Sequence, residues 1–133
     1  MKKGYLNVIM GTLFSRYPLT KIERNANLDL MVKVLNYIDA RYFENLSLDS
    51  ISLHFGYNKY YFSRLFHKYI GVNITNYINV VRLQYFIRKS KSCKDVSISQ
   101  LAFDCGFDSL TTFYRCFKKT YQKTPKDYFS QRR

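Results

Sequence analysis

Apolar side chains recur every three to four positions along much of this chain, the spacing of one face of an α-helix. Met31, Val34, Leu35, Ile38 and Tyr42 repeat at i, i+3, i+4, i+7 and i+11, and Asp29 stands near the start, so the pattern predicts a helix over 29–43. Upstream, Leu6, Ile9, Met10, Leu13, Phe14 and Tyr17 predict a short amphipathic helix over 5–17 that Pro18 stops. Residues 18–27 are polar and basic without a period and read as a linker. Ile74, Tyr77, Ile78, Val81 and Tyr85 make a long stripe that predicts a helix from about 74 to 90.

Beyond Asn45 the stripes shorten, tight turns intervene, and one pattern occurs twice. The segment LDSISLHFGYNKYYFSRLFHKY from Leu48 aligns with ISQLAFDCGFDSLTTFYRCFKKTY from Ile98. Gly56 pairs with Gly106, Tyr57 with Phe107, Phe62 with Phe113, Arg64 with Arg115, Phe66 with Phe117 and Lys68 with Lys119, and the second copy is one residue longer after its glycine. A short helix, a sharp glycine turn and a second helix with one apolar face make a helix-turn-helix. In the first copy Ser47 and Asn58 are the expected N-caps, and Leu48, Ile51 and Phe55 the inner face. In the second, Ser97 with Gln100 has capping-box spacing, Ile98, Leu101, Ala102 and Cys105 face inward, and Asp108 is the expected cap of the next helix.

The second helix of each copy divides into two faces. Phe62, Leu65, Phe66 and Tyr69 form one buried stripe and Phe113, Cys116 and Phe117 the other. Aromatics at this spacing read as core and not as a base-stacking platform. Facing out are Lys59, Tyr60, Ser63, Arg64 and His67 in the first copy, and Ser109, Leu110, Thr111, Tyr114, Arg115 and Lys118 in the second.

Charge supplies the partner. With 22 Lys and Arg against 9 Asp and Glu, the net charge of +13 favours a polyanion. Ser50 to Lys94 contains no acid but holds Lys59, Arg64, Lys68, Arg82, Arg88, Lys89, Lys91 and Lys94; a solvated basic surface is the plain alternative. Cys93, Cys105 and Cys116 lack metal-ligand spacing, so no disulfide framework or zinc site is expected, and a reducing cytoplasm is the simpler setting. Cys105 and Cys116 are expected to be buried, inert thiols. His54 and His67 have no ligand spacing, and no nucleophile elbow, carboxylate pair or phosphate-binding glycine loop is present, so no catalytic residue, metal or cofactor is expected. The apolar run from Tyr5 to Phe14 is too short to span a membrane.

A duplicated Gly-aromatic turn followed by Phe-x-Arg-x-Phe and a basic residue, closing in TPKDY, resembles the DNA-binding domain of the AraC/XylS family of bacterial transcription regulators over residues 29 to 129. The resemblance implies an all-α domain of about seven helices, with two helix-turn-helix subdomains on a long connecting helix. It implies two recognition helices in successive major grooves of double-stranded DNA, about 34 Å apart. Carried over by position, base reading falls to Tyr60, Ser63, Arg64, Leu110, Thr111, Tyr114 and Arg115. Backbone contacts fall to Lys59, His67, Lys68, Ser109, Thr112, Lys118 and Lys119. Arginine's planar fork suits guanine O6 and N7, although Arg64 or Arg115 could instead grip a phosphate.

The same resemblance implies that residues 1–27 are the end of a sensor or dimerisation domain and its linker, with a helix over 5–17 that folds back on the domain as ordinary core as the equal alternative, that 28–92 are the first subdomain with the connecting helix, and that 93–133 are the second. It implies RNA polymerase and a second copy of the chain, through 5–17 or a preceding domain, as further partners. A cytoplasmic, nucleoid-associated place follows, with no membrane partner. A protein-interaction module using the N-terminal helix or the basic face is the alternative. The chain departs from the family at Phe86, where a small alanine is usual, at Lys89 and Ser90, where leucines are usual, at Ser52 for alanine and at Gln122 for glycine. Leu110 is apolar on a face expected to read DNA, where it could touch a thymine methyl or pack down.

Overall fold

A computed structural model describes residues 26–92 and 95–131. Among these residues the chain is all-α, with seven helices and no strand. In order they are α1 (Ala26–Arg41), α2 (Leu48–Phe55), α3 (Lys59–Ile70), α4 (Ile74–Ser90), α5 (Ile98–Asp104), α6 (Leu110–Tyr121) and α7 (Pro125–Gln131). The helix expected over 5–17 lies outside the described residues.

The helix expected over 29–43 starts earlier and stops sooner, at Ala26 and Arg41, so the linker expected to reach residue 27 gives way to helix by Ala26. Asp29 lies in the first turn and Arg41 in the last, each where the helix dipole favours its charge. Tyr42 still buries its ring, but its carbonyl leaves the helical ladder and accepts from Arg82, which accounts for the early end.

The chain forms two compact units. The first holds α1, α2, α3 and the start of α4 to Tyr77. Its core is Met31, Val34, Leu35, Ile38, Ile51, Phe62 and Phe66, all fully buried, with α1 and α2 each packed on α3. Burying a side chain of this size contributes about 2 kcal/mol, so the joined stripes of α1, α2 and α3 hold the unit together. Ser52 is buried too, and its hydroxyl donates to the Asp49 carbonyl at 3.2 Å, which satisfies it inside α2.

The second unit comprises the loop Tyr42–Asn45 and the chain from Ile78 onward. Phe86 is its centre, with ring centroids 4.8 Å from Phe113, 6.2 Å from Phe117 and 6.1 Å from Phe129. A phenylalanine replaces the usual small residue here and fills the core against α6 and α7 without shortening α4, which runs from Ile74 to Ser90. Lys89 and Ser90, at the usual leucine positions, both have partners, one distant in the chain and one local. Lys89 hydrogen-bonds the Tyr42 side chain, which raises its pKa from the ordinary lysine range, and the Ser90 hydroxyl donates to the Ile87 carbonyl at 2.7 Å.

Arg82, one of the basic residues of the acid-free run, does not belong to a solvated surface. It is buried at 6 % exposure. Its Nε donates to the Tyr42 carbonyl at 2.8 Å and its Nη2 to the Glu44 carbonyl at 2.8 Å. Burial lowers its pKa from the usual arginine value, and the charge of Asp108 partly offsets that.

Candidate nucleic-acid interface

In the first unit the turn is built from both ends. Ser47 caps α2 in a complete capping box, its hydroxyl accepting from Ser50 N while the Ser50 hydroxyl accepts from Ser47 N. Gly56 ends the helix at φ 78°, a left-handed conformation that costs a Cβ-bearing residue about 1 kcal/mol. Asn58 then caps α3, its Oδ1 accepting from Tyr60 N at 2.9 Å and Tyr61 N at 3.2 Å.

The twelve residues of α3 divide as their spacing predicts. Phe62, Leu65, Phe66 and Tyr69 are buried, Tyr60, Arg64, His67 and Lys68 are exposed, and Lys59 and Ser63 are partly exposed. Lys59 has a partner that its position in the sequence conceals. Its Nζ lies 3.2 Å from Asp49 Oδ1 on α2, and the hydrogen bond to Asp49, followed by the attraction of its charge, raises the lysine pKa. The pair is solvated, so it orients Lys59 more than it stabilises the fold.

The second unit repeats this plan with three local differences. Ser97 Oγ accepts from Gln100 N at 3.0 Å, but the Gln100 amide donates to Asp104 instead of returning to the cap, so only half of the expected box forms. Gly106 has φ 103°, while the cap of α5 is Cys105. The cap of α6 is Ser109 and not Asp108: Ser109 Oγ accepts from Thr112 N and donates to Thr112 Oγ1, both at 3.2 Å. Asp108, one residue earlier, lends its charge to Arg82. The helix therefore begins at Leu110, and Asn58 and Ser109 are equivalent caps, which pairs Lys59 with Leu110, Tyr60 with Thr111 and Arg64 with Arg115.

Along α6, Phe113 and Phe117 are buried, Thr111, Tyr114, Arg115, Lys118 and Lys119 are exposed, and Leu110 and Thr112 are half-buried. Cys116, expected with the buried stripe, is only half-buried, at its edge. Cys105 is fully buried as expected. The Cys116 thiol has its pKa raised by burial, more than the nearby Arg115 and Lys119 lower it, so it lacks the character of a reactive thiolate.

Neither α3 nor α6 carries an acid in its first turn, and their last turns hold His67 with Lys68 and Lys118 with Lys119. Each exposed face thus carries no acid in its first turn and gathers basic residues toward its C-terminal half, an arrangement that attracts phosphates. Two exposed tyrosines, Tyr57 in the turn before α3 and Tyr61 in its first turn, were absent from the site expected from sequence. The hint was there for Tyr61, which pairs in the repeat with Thr112. Among the described residues no group of three or more His, Cys, Asp or Glu could hold a metal ion, and no helix is long and apolar enough to cross a membrane.

Comparison with known proteins settles the family. The helix-turn-helix domain family matches residues 51–131, which include both turns. The chain belongs to the AraC/XylS family of helix-turn-helix regulators. Its DNA-binding domain is what the seven helices build. This AraC-type chain is 37% identical over 101 residues to the regulatory protein PocR of Salmonella typhimurium, covering 76% of the chain and 33% of PocR. It is 30% identical over 106 residues to an uncharacterized HTH-type transcriptional regulator of Staphylococcus aureus, covering 80% of the chain and 14% of that protein. The chain thus spans a third or less of the length of these relatives. Among solved structures it resembles a transcriptional regulator with an AraC-type DNA-binding domain from Chromobacterium violaceum, with a TM-score of 0.66, 28% identity, and coverage of 81% of this chain and 96% of that one. It also resembles the C-terminal domain of the two-component response regulator yesN from Fusobacterium nucleatum, with a TM-score of 0.67, 25% identity, and coverage of 75% and 97%.

Proposed function

We propose that this chain binds double-stranded DNA at specific sequences to control transcription, placing α3 and α6 in successive major grooves. The observation that carries the reading is the duplication of one local device. Two capped helices of twelve residues each bury a phenylalanine stripe and expose an arginine at the same register, Arg64 and Arg115. A helix of this diameter fits the major groove, and residues in its first turns reach base edges. In this reading Tyr60, Ser63, Arg64, Leu110, Thr111, Tyr114 and Arg115 touch bases, and Lys59, His67, Lys68, Ser109, Thr112, Lys118 and Lys119 hold the sugar-phosphate backbone. Leu110 keeps enough exposure beside Thr111 to touch a thymine methyl.

The reading makes the chain a regulator and not an enzyme, acting in the cytoplasm on the nucleoid. Contact with RNA polymerase and pairing of two copies, through residues 5–17 or a preceding domain, belong to the same proposal. Light scattering over a range of concentrations tests the pairing, which a strict monomer would refute. Selection of bound sites from random duplexes tests the central reading. An enriched site with two sequence blocks about 10 base pairs apart is expected. Recovery of no preferred sequence, or of one isolated block, would overturn it.

A further inference from the structure

We propose that Tyr57 and Tyr61 form a neutral clamp on a DNA phosphate at the side of α3, a contact that the second unit does not possess. The inference rests on the DNA-binding reading above and adds to it two backbone contacts in the first unit.

The two rings stack at a centroid distance of 6.1 Å and an interplanar angle of 15°, and both are exposed, at 36 % and 42 %. Tyr57 comes from the turn and also meets the fully buried Phe62 at 6.1 Å, so one of its faces is anchored on the core. Tyr61 is the third residue of α3 and is held by the Asn58 cap through its own backbone N–H. Each ring therefore has a fixed base, and ordering it on binding costs little further entropy.

Helical geometry says which part of DNA the pair would meet. Opposite the buried stripe of Phe62, Leu65, Phe66 and Tyr69 lie Tyr60, Arg64 and His67, the line that would face the floor of the groove. Tyr61 follows Tyr60 and stands about 100° around the helix from it, on the flank it shares with Lys68, seven residues on. A helix about 10–12 Å across fills a major groove about 12 Å wide, so its flanks face the phosphate walls. A phenol there donates to phosphate oxygen as serine, threonine and backbone amides do.

The repeat shows that the feature is specific to the first unit. Phe107, at the position of Tyr57, has no hydroxyl and is 3 % exposed. Thr112, at the position of Tyr61, is half-buried, and its Oγ1 accepts from the Ser109 cap. The first unit would therefore add two phenol hydroxyls to its charges, where the second has only the hydroxyls of Ser109 and Thr112, which are bonded to each other.

The test uses Tyr57→Phe, Tyr61→Phe and the double variant, which keep the stacked rings and remove only the hydroxyls. Binding of the full chain to its selected duplex and to a random duplex is measured over a range of salt. Each single change is expected to weaken both duplexes alike by about two- to tenfold, the worth of a neutral hydrogen bond. The salt slope should stay unchanged, because a phenol releases no counterion, whereas Lys68→Ala in the same series lowers the slope by about one. Wild-type affinity in the double variant, with Lys68→Ala and Arg64→Ala still weakened, would overturn the clamp and leave the DNA reading standing. A loss confined to one base pair would also overturn it, as a base contact. No effect of any of the five variants would overturn both.

Discussion

The Nε of Arg82 donates to the backbone carbonyl of Tyr42 at 2.8 Å across 40 residues of chain. The same guanidinium reaches the Glu44 carbonyl at 2.8 Å, so one buried cation pins the Tyr42–Asn45 loop to α4 within the second unit. Replacing it with Met keeps much of the volume and removes both charged donors. The loss is expected to be about 3 kcal/mol or more, since hydrogen bonds to a charged group are worth about 1.5–3 kcal/mol each. Arg82→Lys should recover only part, because an ammonium lacks the planar fork. Urea unfolding measures both, and a change in the Met variant below about 1 kcal/mol would contradict the pinning role.

Gly56 and Gly106 occupy the same place in the two copies but carry different constraints. A β-carbon on Gly56 would meet nothing within 4 Å, whereas one on Gly106 would lie 2.5 Å from the Tyr42 carbonyl oxygen and 2.8 Å from Arg82 Nε. Gly56→Ala should cost about 1 kcal/mol, the price of left-handed backbone alone. Gly106→Ala adds a collision with backbone and should cost about 3 kcal/mol. Equal melting temperatures for the two variants would refute the distinction.

Gln122 closes α6 at φ 63°, the role that Gly71 has for α3 at φ 93°. Its amide donates to the Lys119 carbonyl at 3.0 Å, which offsets some of the strain. Gln122→Gly should therefore stabilise the chain slightly, by up to about 1 kcal/mol. A clear drop in the denaturant midpoint would mean that the side-chain bond outweighs the backbone strain.

The two thiols among the described residues should react in a fixed order. Cys105 is fully buried, and Cys116 is half-buried with a raised pKa. A raised pKa lowers the thiolate fraction at neutral pH, so alkylation of Cys116 should be slow at pH 7 and speed up only as pH rises through and above the usual thiol range near about 8.5. Mass spectrometry of the native protein should show Cys116 modified before Cys105. Rapid labelling at pH 7, or Cys105 reacting first, would contradict this.

Arg64→Ala and Arg115→Ala should each weaken binding to the selected site by about 1–3 kcal/mol and relax the preference near the lost contact. Lys119→Ala should weaken all duplexes nearly equally. Competition binding against single-base variants of the site separates the two behaviours. Unchanged affinity and preference in both arginine variants would remove these residues from the base-reading set.

Much of the site was legible because a helix reports its own faces. The buried stripe of α3 and the exposure of Tyr60, Arg64 and His67 follow from spacing alone, as do the caps Ser47, Asn58 and Ser97. The second unit was harder to read at its turn. Asp108 and Ser109 are both good caps by composition, and the choice fell to Ser109 where Asp108 lies within reach of the Arg82 charge. The Asp49 partner of Lys59 was hidden because it joins two helices across a turn.

Local periodicity and turn chemistry by themselves determined that this chain is helical, that it carries one helix-turn-helix device twice, and which side of each second helix looks outward. These properties depend on residues within a turn or two of one another. Only the tertiary structure decided that Arg82 serves the core and not the basic surface, that Phe86 is the centre of the second unit, and that a β-carbon at Gly106 would meet the Tyr42 carbonyl where one at Gly56 would meet nothing. Each of those outcomes depends on atoms brought together from distant parts of the chain, where the energy of burial is set by neighbours that no local pattern names.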